Sequence, residues 1–200
     1  MKALIIIDLQ NDFLPGGALA VPNGDKVIDR INEIQKKYDI VVATQDWHPA
    51  NHKSFASQHE GKNPFEEIDL NGIRQTLWPT HCVQGTKGAQ LSEKLNTDRI
   101  DAIFRKGTNP EIDSYSGFYD NNKKKSTGLH GYLKELNVDQ LYICGLAADY
   151  CVYYTAMDAL KLGYSTTILE ESTKAIDEEH YNTIKDDFIK AGGKVSSYIL

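Results

Sequence analysis

Gln140-Leu141-Tyr142-Ile143-Cys144-Gly145-Leu146-Ala147-Ala148-Asp149-Tyr150-Cys151-Val152 is the stretch on which the reading of this chain turns. Its first part, Gln140 to Cys144, is a short apolar segment of strand type. Val152 to Leu162 then has helical spacing, with Ala156, Ala159 and Leu160 on one side. Cys151 therefore stands just past a strand, at the opening turn of a helix, where roughly half a positive charge favours a thiolate. A small buried core cysteine would satisfy the same segment. What separates the two readings is the set of other strand ends.

Lys2 to Ile7 is an apolar run, too short for a membrane span or signal peptide and ended abruptly by Asp8, so it reads as a buried strand. Asn23, a suitable N-cap, and Gly24 introduce a helix with Val27, Ile28, Ile31 and Ile34 at the 3.6 period. Further strands are expected at Ile40 to Thr44, Ile100 to Phe104, Ser165 to Leu169 and Lys194 to Tyr198. Further helices are expected at about Thr127 to Leu136 and Asp177 to Ala191.

This alternation predicts an α/β fold: one parallel sheet with helices on both faces. Ligands of such sheets sit beyond the carboxyl ends of the strands. Asp8, Asp46 with His48, Lys106 and Cys151 all fall on that edge, so four strands deliver an acid, a ligand pair, a cation and a thiol to one crevice. Polar residues end strands everywhere, which explains one or two such placements but not four of these chemistries.

Two hundred residues suit a single domain, 1–200, with a core that needs no covalent staples. The irregular stretches from Gln45 to about Gly88 and from Gly107 to about Ser126 are too long for simple connectors. They read as site-forming loops, the first (about 45–88) as an insertion forming a small lid. Three cysteines without a leader sequence suit a reducing, cytoplasmic compartment. A net charge of −6 argues against a nucleic-acid surface, and Lys123-Lys124-Lys125 reads as a solvated turn.

Asp46-Trp47-His48 offers two ligands one residue apart, which project to the same side of extended backbone. His52 lies four residues on, and Trp78-Pro79-Thr80-His81-Cys82 supplies another histidine. Two histidine nitrogens and a carboxylate oxygen leave positions open on a borderline divalent ion, although ordinary loop histidines fit the same spacing. Cys82 reads as a small buried residue. His59, His130 and His180 receive no role.

Taken in order, Ile6-Ile7-Asp8-Leu9-Gln10-Asn11-Asp12-Phe13, Asp46-Trp47-His48-Pro49, Trp78-Pro79-Thr80-His81-Cys82-Val83, Phe104-Arg105-Lys106-Gly107, Tyr115-Ser116-Gly117-Phe118 and the cysteine segment resemble the nicotinamidases of the isochorismatase-like cysteine hydrolase superfamily. The resemblance implies a doubly wound, Rossmann-like parallel sheet of about six strands and an Asp8/Lys106/Cys151 triad. It implies a divalent metal on Asp46, His48 and His81, zinc first, with iron or manganese as alternatives. His52 would contact that metal directly or through a metal-bound water. The resemblance also implies a cis peptide before Ala147 and an oxyanion hole from the Ala147 and Cys151 amides. Phe13, Leu19, Trp78, Tyr115 and Tyr150 would wall the substrate.

The implied reaction hydrolyses nicotinamide, in NAD salvage, by a soluble protein with no nucleic-acid or membrane partner; a homo-oligomer is compatible with it. A cysteine amidohydrolase for another small amide or carbamoyl compound is the nearest alternative, disfavoured by the metal-ligand pair. A non-catalytic binding module on the same fold predicts decay of the triad, and Asp8, Lys106 and Cys151 are all present.

Overall fold

A computed structural model describes residues 1–197. Strands β1 (Lys2–Ile7), β2 (Ile40–Asp46), β5 (Ala102–Lys106), β6 (Gln140–Leu146), β7 (Ser165–Lys174) and β8 (Lys194–Ser196) form a six-stranded sheet in the order β5-β2-β1-β6-β7-β8. All of its neighbouring pairs are parallel. The helices are α1 (Ile28–Ile34), α2 (Leu129–Glu135), α3 (Tyr153–Lys161) and α4 (Glu178–Lys190), and a separate hairpin is made by β3 (Glu67–Leu70) and β4 (Ile73–Thr76).

The sheet is covered on both sides because β1 is apolar at every position from Ala3 to Ile7. Leu4 and Ile6 pack with Val27, Ile28, Ile31 and Ile34 from α1 and the turn before it, while Ala3, Ile5 and Ile7 pack with Leu129, Leu133, Ala156, Ala159 and Phe188. Alternation of side chains along a strand sends each set to its own face. From β1 the chain winds outward through β2 to β5, then returns to β6 on the other side of β1 and winds outward through β7 to β8. The reversal lies between β1 and β6, where an open parallel sheet leaves its crevice. Gly145 makes that approach close. Its φ is +107°, and a Cβ there would overlap the backbone of Ile7.

Several boundaries differ from the expectation. Strands β2, β5, β6 and β7 end at Asp46, Lys106, Leu146 and Lys174, beyond the expected runs, because parallel pairing continues past them. Asp46 and Lys106 are thus register partners. No α-helix connects β2 to β5; a 3-10 turn at Ala56–Gln58, the β3–β4 hairpin and long loops occupy that connection. Asn23 is not a side-chain cap: it sits at φ 56° without a capping bond, and a 3-10 turn, Gly24–Val27, leads into α1. Cys151 lies in a π-turn, Ala148–Val152, before α3 rather than in an α-helical first turn. The Tyr198 end of the last strand lies outside the described residues.

Ile5, fully buried between two neighbouring strands and the α2–α3 layer, should not tolerate truncation. Ile5→Ala is expected to cost about 2–5 kcal/mol, measured as a lower urea midpoint at unchanged slope. A loss under ~1 kcal/mol would mean that this face is less tightly packed than its burial implies.

Candidate active site

Asp8 follows β1 with a φ of 47°, and its carboxylate is fully buried. The Thr44 hydroxyl donates to Asp8 Oδ1 at 2.6 Å, while Lys106 Nζ lies 2.8 Å from Oδ2. The same ammonium reaches Asp46 Oδ1 at 2.6 Å, the Ser114 carbonyl at 3.0 Å and Cys151 Sγ at 3.3 Å. Carboxylate oxygens of Asp8 and Asp46 and the Cys151 sulfur lie within 4.8 Å of one another. The four side chains therefore form one cluster around a single buried cation.

Burial is the largest influence on each of these groups, and it acts against charge. For Lys106 it is outweighed by Asp46, Asp8 and Cys151, which hold the ammonium well above its usual range. For Asp46 it is outweighed by Lys106 and His48, and the carboxyl falls well below its usual range. For Asp8 burial prevails over Lys106, raising the carboxyl. Cys151 follows Asp8: burial pushes its thiol well up although Lys106 pulls it down. The expectation of an easily formed thiolate thus needs correction. Burial favours the neutral thiol, and a carboxyl group that burial likewise raises lies close by.

A second cluster adjoins the first through Asp46. Ligand-type atoms of Asp46, His48 and His81 lie within 4.8 Å of one another, all buried. His48 Nε2 and His81 Nε2 stand 3.5 and 3.8 Å from Asp46 Oδ2. His48 Nδ1 faces the Gly107 carbonyl at 2.9 Å and His81 Nδ1 the Pro79 carbonyl at 2.7 Å. A carbonyl accepts only, so both Nδ1 atoms carry hydrogen, which leaves both Nε2 atoms turned toward Asp46 and free to ligate a divalent cation once they carry no proton. Gly107 has φ +63° and a Cβ there would strike the His48 ring. Gln10 fixes Asp46 through the backbone: its amide donates to the Asp46 carbonyl and accepts from the Asp46 N–H, both at 2.8 Å.

His52 is buried beside His48, ring centroids 4.4 Å apart. Its Nδ1 accepts from the Ser54 N–H at 3.2 Å and faces the Ser54 hydroxyl at 2.7 Å. Burial lowers its pKa to about 4, so the ring is neutral with hydrogen on Nε2, an atom that has no hydrogen-bond partner. Asp113 completes a further group with His48 and His52.

Between the clusters lies a small, tightly walled cavity. Phe13, Leu19, Trp78, Tyr115 and Tyr150 all line it, together with Asp46, His81, Ala147 and Cys151. The Tyr115 hydroxyl accepts from Gln75 at 2.9 Å and from Trp78 Nε1 at 3.2 Å, which fixes two aromatic walls together. The Leu146–Ala147 peptide is cis. Sequence reasoning missed two lining residues, Asp113 and Ile176. Asp113 lies in the 107–126 loop already marked as site-forming, whereas Ile176 follows a polar strand end that carries no signal. Cys82 is buried and free, as expected. Lys123 is engaged with Asp158 and Lys125 with the Thr108 hydroxyl, so the lysine run is not an open basic patch. No helix among the described residues is long and apolar enough to cross a membrane.

A family profile, the isochorismatase domain, matches residues 2–198. The nicotinamidase of Acinetobacter baylyi is 50% identical over 175 residues, covering 88% of this chain and 82% of the relative. Among solved structures, a nicotinamidase/pyrazinamidase from Acinetobacter baumanii superposes with a TM-score of 0.95 at 44% identity, over 97% of this chain and 94% of that one. PnC1 from L. infantum, solved in complex with nicotinate, has a TM-score of 0.87 at 41% identity, over 98% and 92% of the two chains. The pyrazinamidase of Pyrococcus horikoshii, solved in complex with zinc, has a TM-score of 0.80 at 38% identity, over 98% and 99%.

Gln10 touches Asp46 through the main chain alone and lies outside the cavity lining. Gln10→Ala is expected to weaken divalent-cation binding on the order of 10- to 100-fold, measured by competition with a chromophoric chelator. An unchanged affinity would show that β2 holds Asp46 without this clamp.

Proposed function

The chain belongs to the isochorismatase family, and on that premise we propose that it hydrolyses nicotinamide to nicotinate and ammonia through a thioester on Cys151. It is an amidohydrolase of nicotinamide, in keeping with a relative at 50% identity that is named a nicotinamidase. The observation that carries the mechanism is the buried ammonium of Lys106 in contact with Asp8 and Cys151 at one side of an aromatic-walled cavity.

A carboxamide is a poor electrophile with a poor leaving group, so its hydrolysis needs a strong nucleophile, a proton for the nitrogen and stabilisation of charge on oxygen. Asp8 takes the thiol proton as Cys151 Sγ attacks the carbonyl carbon. The N–H groups of Ala147 and Cys151 receive the developing oxyanion. Collapse of the tetrahedral adduct breaks the C–N bond while Asp8 returns the proton to nitrogen, and ammonia leaves. Asp8, ionised again, removes a proton from water, which attacks the thioester and releases nicotinate and the free thiol. Lys106 keeps the negative charge that moves between Asp8 and Cys151 paired throughout.

Asp46, His48 and His81 would hold one divalent ion, zinc by analogy with the Pyrococcus relative. When bound, the ion supplies a Lewis-acidic position for a neutral ring nitrogen, which favours a pyridine carboxamide over a benzene one. His52, with hydrogen on Nε2, suits donation to a water on the ion better than direct ligation. Phe13, Trp78, Tyr115 and Tyr150 bracket the ring, and residues 45–88 act as the lid that carries Trp78 and His81. Three buried, unpaired cysteines suit the cytoplasm.

Ammonia release from nicotinamide, with pyrazinamide as second substrate, tests the activity. Cys151→Ala should lower kcat by at least about 10⁴-fold while circular dichroism stays native; near-normal turnover would sink the covalent mechanism. Lys106→Arg should be nearly as damaged as Lys106→Ala, since a planar fork cannot replace a compact ammonium with four close partners. A near-normal rate for the arginine variant would show that charge alone suffices. Removing the metal should abolish nicotinamide turnover yet leave alkylation of Cys151 by iodoacetamide close to its original rate. Parallel loss of both would put the ion in the covalent step rather than in ring recognition.

A further inference from the structure

Asp149 lies in the π-turn two residues before the nucleophile, fully buried, yet it does not line the catalytic cavity. Its carboxylate reaches the neighbouring loop. Oδ1 accepts from the Ile176 N–H at 3.0 Å and Oδ2 from the Asp177 N–H at 2.9 Å, with His180 Nδ1 3.9 Å from Oδ2. A carboxylate out of water persists only if its acceptors are filled, and here two consecutive main-chain donors fill them. Strands β6 and β7 need no such staple, since they pair directly and Thr173 donates to the Gly145 carbonyl at 2.7 Å. What Asp149 fixes is the short connection from β7 to α4. In that connection Ile176 projects into the cavity lining, where it and Leu19 are the large aliphatic members of a wall that is otherwise aromatic or polar apart from Ala147. His180, from the first turn of α4, meets the Tyr150 ring with centroids 5.8 Å apart, tying a second wall residue to the same staple.

We propose that Asp149 is a positioning residue that holds Ile176 against the substrate ring, and that this pair sets the size limit of the pocket. The inference rests on the reading of the cavity as a nicotinamide site. An unclamped 175–177 connection withdraws Ile176, loosening the fit to nicotinamide and admitting a bulkier ring, while the nucleophile keeps its own partners. Asparagine is the informative substitution, because it keeps the shape but offers one acceptor oxygen and an NH2 group to two N–H donors.

The experiment measures kcat and KM for nicotinamide and for a ring-methylated nicotinamide, with iodoacetamide alkylation of Cys151 alongside, in the metal-loaded protein and in Asp149→Asn, Ile176→Ala and the double variant. Both single variants should raise KM for nicotinamide and raise the methylated-to-unsubstituted ratio of kcat/KM, each by on the order of tenfold, with alkylation unchanged. The double variant should be no worse than Asp149→Asn alone, because the two act through one contact. Effects that multiply, or an Asp149→Asn variant that loses kcat and alkylation rate with selectivity unaltered, would overturn the proposal. Should Asp149→Asn fail to fold, an unaltered selectivity in Ile176→Ala overturns it alone. Absence of nicotinamide turnover in the parent protein would instead defeat the functional reading, so the two failures are distinguishable.

Discussion

Everything in this site is arranged around one ammonium group taken out of water. Lys106 is fully buried, and a lone cation in that position would be lost to neutralisation. It persists because Asp8, just past β1, and Asp46, at the end of β2, each place a carboxylate within hydrogen-bond reach. Removing one partner of such a buried set costs about 3–5 kcal/mol, because the remaining charge is stranded. The arrangement therefore explains why β2 and β5 continue in register as far as Asp46 and Lys106. Those polar strand ends are held in the sheet by the charge they share.

Asp46 joins the two halves of the site, since one oxygen faces Lys106 and the other faces His48 and His81. Asp8, Asp46 and Lys106 stand at the ends of strands in a rigid sheet, while the cavity wall is assembled from several loops, the long connection between β2 and β5 contributing Trp78 and His81. On the proposed function this division fits the chemistry: attack on a carbonyl tolerates little misplacement, while ring recognition can be assembled from loops stitched down by Gln10, Gln75 and Tyr115.

The core was legible where burial is two-sided. Strand β1 reads as an unbroken apolar run because both of its faces are covered, and the helix periods of α1 and α4 identify the faces they bury. Strand ends were not legible, because Arg105-Lys106 and Glu170 to Lys174 are polar residues kept extended by pairing. The proposed triad, ligand set and five wall residues were named from motifs in order; the five wall residues share one cavity with Cys151, Asp46 and His81, while Asp8, Lys106 and His48 lie in the clusters beside it. Asp113 and Ile176 were missed because they sit in irregular backbone. The upward push on the Cys151 thiol was missed because burial, which a linear sequence does not display, outweighs the field of one lysine.

The position of β1 at the middle of the sheet has a consequence for how the protein is made. Its first neighbour, β2, follows within about 40 residues of chain, but its other neighbour, β6, pairs Leu141 with Ala3. At ribosomal rates of about 5–20 residues per second, β1 waits roughly 7–28 s with one edge bare. An unpaired edge of Ala3 to Ile7 is a template for pairing with other chains. The nascent protein is thus most exposed to aggregation just before β6 emerges, and a chaperone that shields strand edges would act in that interval.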